Sequence, residues 1–168
     1  RPKDKLPELV FFFFSNVGKS SLINALTGQK LAYSSKRAGK TRYLNYFLID
    51  DAFYLVDSPG YGYTHYGSKE DDAFGKMMER YFENPALVGC VFLLDCRLEP
   101  NADDLLLLSY LQKESIPTLV VFSKADKANQ SEKQKALSRP YGDERILFSQ
   151  EDNPALLRKK VAGMLKLS

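Results

Sequence analysis

Apolar runs and amphipathic stretches take turns along this chain. Leu9-Val10-Phe11-Phe12-Phe13-Phe14 is continuously apolar, which predicts a strand buried on both faces. A polar turn follows, and Ser20–Leu26 reads as a helix that Gly28 stops. Tyr43–Ile49 and Phe53–Val56 read as two strands joined tightly at Asp50-Asp51, an antiparallel hairpin. Ser68 and Asp71 have capping-box spacing ahead of an apolar stripe of Phe74, Met77, Met78, Tyr81 and Phe82. Leu87–Asp95 is predicted as a buried strand, Asn101 as the cap of a leucine-rich helix through Leu111, and Pro117–Phe122 as another buried strand. A short helix around Glu132–Leu137, a strand Ile146–Phe148 and a helix from Asn153-Pro154 to about Leu165 complete the reading.

Strands buried on both faces and interleaved with helices imply an α/β sheet covered on two sides, with one antiparallel hairpin in it. Ligands of such sheets bind beyond the carboxyl ends of the strands. The 168 residues fit a single domain spanning 1–168, and no repeat or low-complexity segment divides them. With 44% apolar and 27% charged residues the composition speaks against disorder, and a net charge of +3 demands no polyanion partner. Cys90 and Cys96 lie six positions apart in or beside one strand, about 20 Å in extended chain, beyond disulfide reach. A reducing, cytoplasmic setting is therefore expected, with no membrane span and no signal peptide.

Chemistry-bearing motifs follow three of the strands. Ser15-Asn16-Val17-Gly18-Lys19-Ser20-Ser21 has the second half of a phosphate loop and opens the first helix. N–H groups of Asn16 through Ser20 could meet phosphate oxygens at the positive end of the helix dipole. Lys19 would reach the β- and γ-phosphates and the Ser20 hydroxyl would ligate Mg²⁺. The loop's usual first glycine is replaced by Phe13, and an incidental Gly-Lys-Ser in a strand–turn–helix explains the same residues.

Asp57-Ser58-Pro59-Gly60 stands at a strand end, 38 positions after Lys19. Asp57 could hold Mg²⁺ through water and the Gly60 N–H could meet a terminal phosphate; a plain proline turn is the alternative. Ser123-Lys124-Ala125-Asp126 follows the Pro117–Phe122 strand. Its aspartate can accept from the N1–H and exocyclic amine of guanine while the Lys124 stem lies along the base; a solvated Lys/Asp turn is the alternative. Adenine offers no such donor pair. The three motifs occur in the order needed to converge on one nucleotide, and so support one another.

With these residues, and with Leu22-Ile23-Asn24-Ala25-Leu26, Ser34-Ser35-Lys36, Gly39-Lys40-Thr41, Tyr61-Gly62-Tyr63, Leu94-Asp95-Cys96-Arg97 and Lys127, the chain resembles translation-factor-type GTPases. Within that class it resembles the EngB (YihA/YsxC) ribosome-assembly GTPases, from about Leu6 to the last helix. The resemblance implies a Ras-like P-loop GTPase fold with a mostly parallel six-stranded sheet. It implies GTP and GDP binding, Mg²⁺, slow GTP hydrolysis, and a part in maturing the large ribosomal subunit through its rRNA and proteins, with links to the cell cycle and septation. A monomer is expected.

Site by site, the resemblance implies nucleotide contacts from Ser15, Asn16, Val17, Gly18, Lys19, Ser20 and Ser21. The first switch adds Gly39, Lys40 and Thr41, and the second adds Asp57, Ser58, Pro59 and Gly60. Ser123, Lys124, Ala125 and Asp126 would read guanine, supported by Phe148, Ser149 and Gln150. Ser20, Thr41 and Asp57 would hold Mg²⁺, and Lys19, Thr41 and Gly60 would act in hydrolysis. The chain departs from the family pattern at Phe13-Phe14 (Gly-Arg in the family), at Ser123 (threonine), at Gln150, and in a short stretch between Asp126 and Ile146.

Tyr61 stands where Ras-like enzymes place a water-orienting glutamine, so slow intrinsic turnover is predicted. Asn16 resembles the residue with which some GTPases recruit K⁺. His65, five positions past Gly60 among tyrosines, reads as a surface residue rather than a base. Lys36, Arg37, Lys40 and Arg42 put four positive charges into seven residues, suited to rRNA phosphates or to solvent. Arg158, Lys159 and Lys160 form a second basic cluster. Two other readings compete with the GTPase: a weakly binding RNA- or protein-docking module, motivated by Phe13-Phe14, and an ATP-using P-loop kinase.

Overall fold

A computed structural model of the chain describes residues 5–13, 19–27, 44–57, 76, 78–149 and 153–166. The elements in chain order are β1 (Glu8–Phe13), α1 (Lys19–Thr27), β2 (Asn45–Ile49), β3 (Phe53–Asp57) and α2, described over residues 78–82. Then come β4 (Leu87–Asp95), α3 (Ala102–Lys113), β5 (Thr118–Ser123), a 3₁₀ turn (Ala125–Lys127), α4 (Gln130–Ser138), β6 (Glu144–Leu147) and α5 (Ala155–Leu165). The strands form one sheet in the order β2-β3-β1-β4-β5-β6, in which only the β2–β3 pair is antiparallel.

The apolar run of β1 explains its central place. Alternate residues serve opposite faces: Leu9 and Phe11 join α1 and α5 through Leu22, Leu26, Leu157 and Val161. Val10 and Phe12 join the other face with Met78 and Tyr81 of α2 and Leu108 and Leu111 of α3. Both sets are almost wholly removed from water, which is what a strand with no polar alternation requires.

The hairpin forms as predicted. Asp50 and Asp51 both take positive φ, 51° and 54°, and the Ala52 N–H closes the turn onto Ile49 O at 2.9 Å. Positive φ at both central residues matches the right-handed twist of the flanking strands, and aspartate tolerates it better than most side chains.

Several boundaries differ from expectation. β1 begins at Glu8, not Leu9, because the Glu8 backbone already pairs with β3 and β4; its buried carboxylate accepts from the Tyr81 hydroxyl and the Asn84 amide, each at 3.0 Å. β1 ends at Phe13, level with Leu93, and Phe14 lies outside the described residues. α4 starts at Gln130 because Asn129 and Glu132 form a reciprocal capping box. β6 starts at Glu144, where the backbone pairs with Leu119 although the side chain is exposed. α5 is capped at Pro154, with the Asn153 side chain accepting from the Ala155 N–H at 3.0 Å. Ser68, Asp71, Phe74 and Met77 lie outside the described residues. No helix among the described residues is long and apolar enough to cross a membrane.

Candidate functional site

Because β1, β3, β4, β5 and β6 are parallel, all five end at one edge of the sheet, and β2 begins there with Asn45 level with Asp57. The edge thus collects Lys19 and Ser20 after β1, Asp57 at the end of β3, Asp95 at the end of β4, and Ser123 through Asp126 at the end of β5. Lys19 and Ser20 have helical backbone and open α1, whose first turn carries no acidic residue. First-turn N–H groups have no intrahelical acceptor and favour an anion. Ser15, Asn16, Val17, Gly18, Gly39, Lys40, Thr41, Ser58, Pro59, Gly60 and Gln150 lie outside the described residues, as do His65, Tyr61 and the first-switch cations.

Asp57 is 2% exposed and lies between Phe11 on β1 and Asn45 on β2. A carboxylate is a hard oxygen donor of the kind Mg²⁺ takes, and Asp57 supplies one at the end of β3. Among the described residues no group of three or more His, Cys, Asp or Glu side chains is placed to hold a metal.

The base side is built by interlocking backbone. The Ser123 hydroxyl donates to Leu94 O at 3.2 Å, and Ser123 O accepts from the Cys96 N–H at 3.0 Å, tying the end of β5 to β4. The Phe148 N–H donates to Phe122 O at 2.9 Å and the Ala125 N–H to Phe148 O at 3.1 Å, tying the loop after β6 to the loop after β5. Ser123, Ala125, Phe148 and Ser149 are all buried, whereas Asp126 is exposed on the 3₁₀ turn. Serine in place of threonine at 123 keeps the hydroxyl, and that hydroxyl is in use. Lys124 takes the left-handed conformation, φ 57° and ψ 36°, where the chain leaves β5.

One residue quoted for the resemblance received no role from sequence reasoning. Asp95 accepts from Arg97 through both carboxylate oxygens and has Lys124 Nζ 3.9 Å from Oδ2. The adjacency of Asp95 and Arg97 in sequence was visible; the approach of Lys124 depends on β4 and β5 pairing at Asp95 and Ser123. Two cavities, of about 270 and about 400 Å³, lie at the opposite edge, by Pro117, Thr118 and Asp143; no predicted nucleotide or metal residue lines them, but Lys159 and Lys160 of the second basic cluster line the one of about 400 Å³.

This strand order, with Lys-Ser opening the first helix, aspartate ending the third strand and Ser-Lys-Ala-Asp after the fifth, defines a Ras-like P-loop GTPase domain. The chain belongs to the EngB family of that class: the model for "50S ribosome-binding GTPase" matches residues 9–124, and close relatives agree. A "Probable GTP-binding protein EngB" of Lactobacillus helveticus is 49% identical over 140 residues, 82% of this chain and 71% of that protein. The protein of the same name from Lactobacillus acidophilus is 47% identical over 139 residues, covering 82% and 71%. The fold matches a crystal structure of a probable GTP-binding protein EngB with a TM-score of 0.66 at 24% identity, covering 95% of this chain and 98% of that one.

Proposed function

We propose that this chain binds GTP and GDP at the carboxyl edge of its sheet and hydrolyses GTP slowly, as a switch in assembly of the large ribosomal subunit. What supports the reading is that Asp57 ends β3 and Asp126 follows β5 at the carboxyl edge, with α1 opening at Lys19 and Ser20 after β1 and the loops after β5 and β6 hydrogen-bonded together. Asn16 through Ser20 hold the phosphates, Lys19 neutralises the β/γ oxygens, and Gly60 donates to the terminal phosphate. Ser20, Thr41 and Asp57 hold Mg²⁺, which when bound screens the phosphate charge. Asp126 accepts from the guanine N1–H and amine, and Lys124 lies along the ring. Tyr61 lacks an amide to orient water, so turnover is slow, and Asn16 recruits K⁺ as a neutralising charge. Lys36, Arg37, Lys40 and Arg42 meet rRNA phosphates in the GTP form, in the cytoplasm.

Titrations with GDP, GTP and ATP, with and without Mg²⁺, test this. Tight guanine nucleotide binding is expected, with ATP weaker by a factor on the order of a hundred or more. Comparable ATP affinity would point to a kinase, and no binding at all to a docking module. Asp126→Asn is expected to move preference from GDP to XDP, because the new amide can donate to the xanthine carbonyl. Equal hydrolysis rates in Na⁺ and K⁺ would remove the K⁺ element alone.

A further inference from the structure

Asp95 ends β4 directly beside Ser123, the residue before the base-side turn. Its side chain is 5% exposed, yet it takes three hydrogen bonds from Arg97: Oδ1 from the backbone N–H at 2.9 Å and Nε at 3.1 Å, Oδ2 from Nη2 at 2.9 Å. Lys124 Nζ stands 3.9 Å from the same Oδ2, within ion-pair range and longer than a hydrogen bond. The bond from the Arg97 N–H to Oδ1 closes a local turn, and that turn needs one neutral oxygen only. A buried carboxylate with a second oxygen and a full charge is more than the turn requires.

The surplus faces Lys124. Left-handed backbone at a lysine is costly, and here the clamps on Ser123 and Ala125 impose it. Its consequence is that the Lys124 side chain heads back toward β4, while Asp126 remains exposed for the edge of a base. We propose that Asp95, oriented by Arg97, is a positioning residue that tethers the Lys124 ammonium so that the lysine stem forms a ready shelf for the plane of the purine. This inference rests on the nucleotide reading above. An untethered lysine would spread over many rotamers and lose that freedom on binding. Arg97 takes two hydrogen bonds at Oδ1 and one at Oδ2, which leaves Oδ2 a lone pair on the side of the Lys124 ammonium. Asp126 reads the edge of the base; Asp95 acts on its face, and only through Lys124.

The test is a double-mutant cycle on the full chain with GDP, comparing Asp95→Asn, Lys124→Ala and the pair, with each variant's melting temperature. Asparagine keeps the turn oxygen and removes the charge. Asp95→Asn is expected to weaken GDP about tenfold and to have no further effect once Lys124 is alanine. In the Asp126→Asn background it is expected to weaken XDP by the same factor, since the shelf carries either purine. Unchanged GDP affinity with only a lowered melting temperature overturns the inference, as do penalties that multiply in the double variant. A wild-type chain that binds no guanine nucleotide overturns the nucleotide reading and this inference together. Tight wild-type binding with multiplying penalties overturns the inference alone.

Discussion

Asp57, Asp95 and Asp126 end or follow three strands at one sheet edge, and their surroundings set what each carboxylate can do. Asp126 is solvent-facing and available to a ligand, whereas Asp57 and Asp95 are buried. Burial opposes the charge of Asp95, but the hydrogen bonds from the Arg97 side chain and backbone outweigh it, and the charges of Arg97 and Lys124 add to them. Its carboxyl therefore sits below the ordinary carboxylate range. Since the unfolded chain binds this proton more readily than the folded one, the carboxylate contributes stability above the ordinary aspartate pKa. That contribution is lost as pH falls through the lower folded value. Unfolding curves of wild type and Asp95→Asn between pH 3 and 7 are expected to differ most at neutral pH and to converge in acid. A gap that widens on acidification would contradict the pairing. The neighbouring Cys96 thiol is pushed up, first by burial and then by the Asp95 charge, which keeps it protonated beside the site.

At the scale of elements, legibility followed burial. β1, β4 and β5 are buried on both faces, and continuous apolar runs mark them to within a residue at either end. α4 buries Ala136 alone, so periodicity gave no start, and the signal that does mark it, Asn129 with Glu132 three residues on, is a capping pattern. The Asn129 side chain accepts from the Glu132 N–H at 2.8 Å, and the Glu132 carboxylate accepts from the Asn129 N–H at 2.9 Å. A helix with so little apolar anchorage leans on its cap. Asn129→Ala is expected to cost about 1 kcal/mol in denaturant unfolding, and Asn129→Gly only a few tenths; equal losses would place the effect elsewhere. The candidate site could be read where a motif is contiguous, as in Ser123 through Asp126. The role of Asp95 was not, because it arises from the pairing of β4 with β5 and from a left-handed turn that no local pattern announces at a lysine.

The whole molecule divides by its sheet. α1 and α5 lie on one face, joined by Arg158 Nε donating to Ala25 O at 2.7 Å, and α2, α3 and α4 lie on the other. The proposed nucleotide draws on both ends of the sheet order: its phosphates on β1 and β3, its base on β5 and β6. A ligand held that way adds a further link between the two halves of the sheet, and it binds the folded form alone. Its effect on stability then follows mass action, about 2.7 kcal/mol at a GDP concentration a hundredfold above the dissociation constant. For a domain of this size that raises the melting temperature by about 5–10 °C. We expect GDP with Mg²⁺ to give this shift in a single transition that climbs with ligand concentration, ADP to give almost none, and Asp126→Asn to exchange the response to GDP for one to XDP. An equal shift with ADP would mean that phosphates alone hold the ligand, and that the locked loops after β5 and β6 do not read a base.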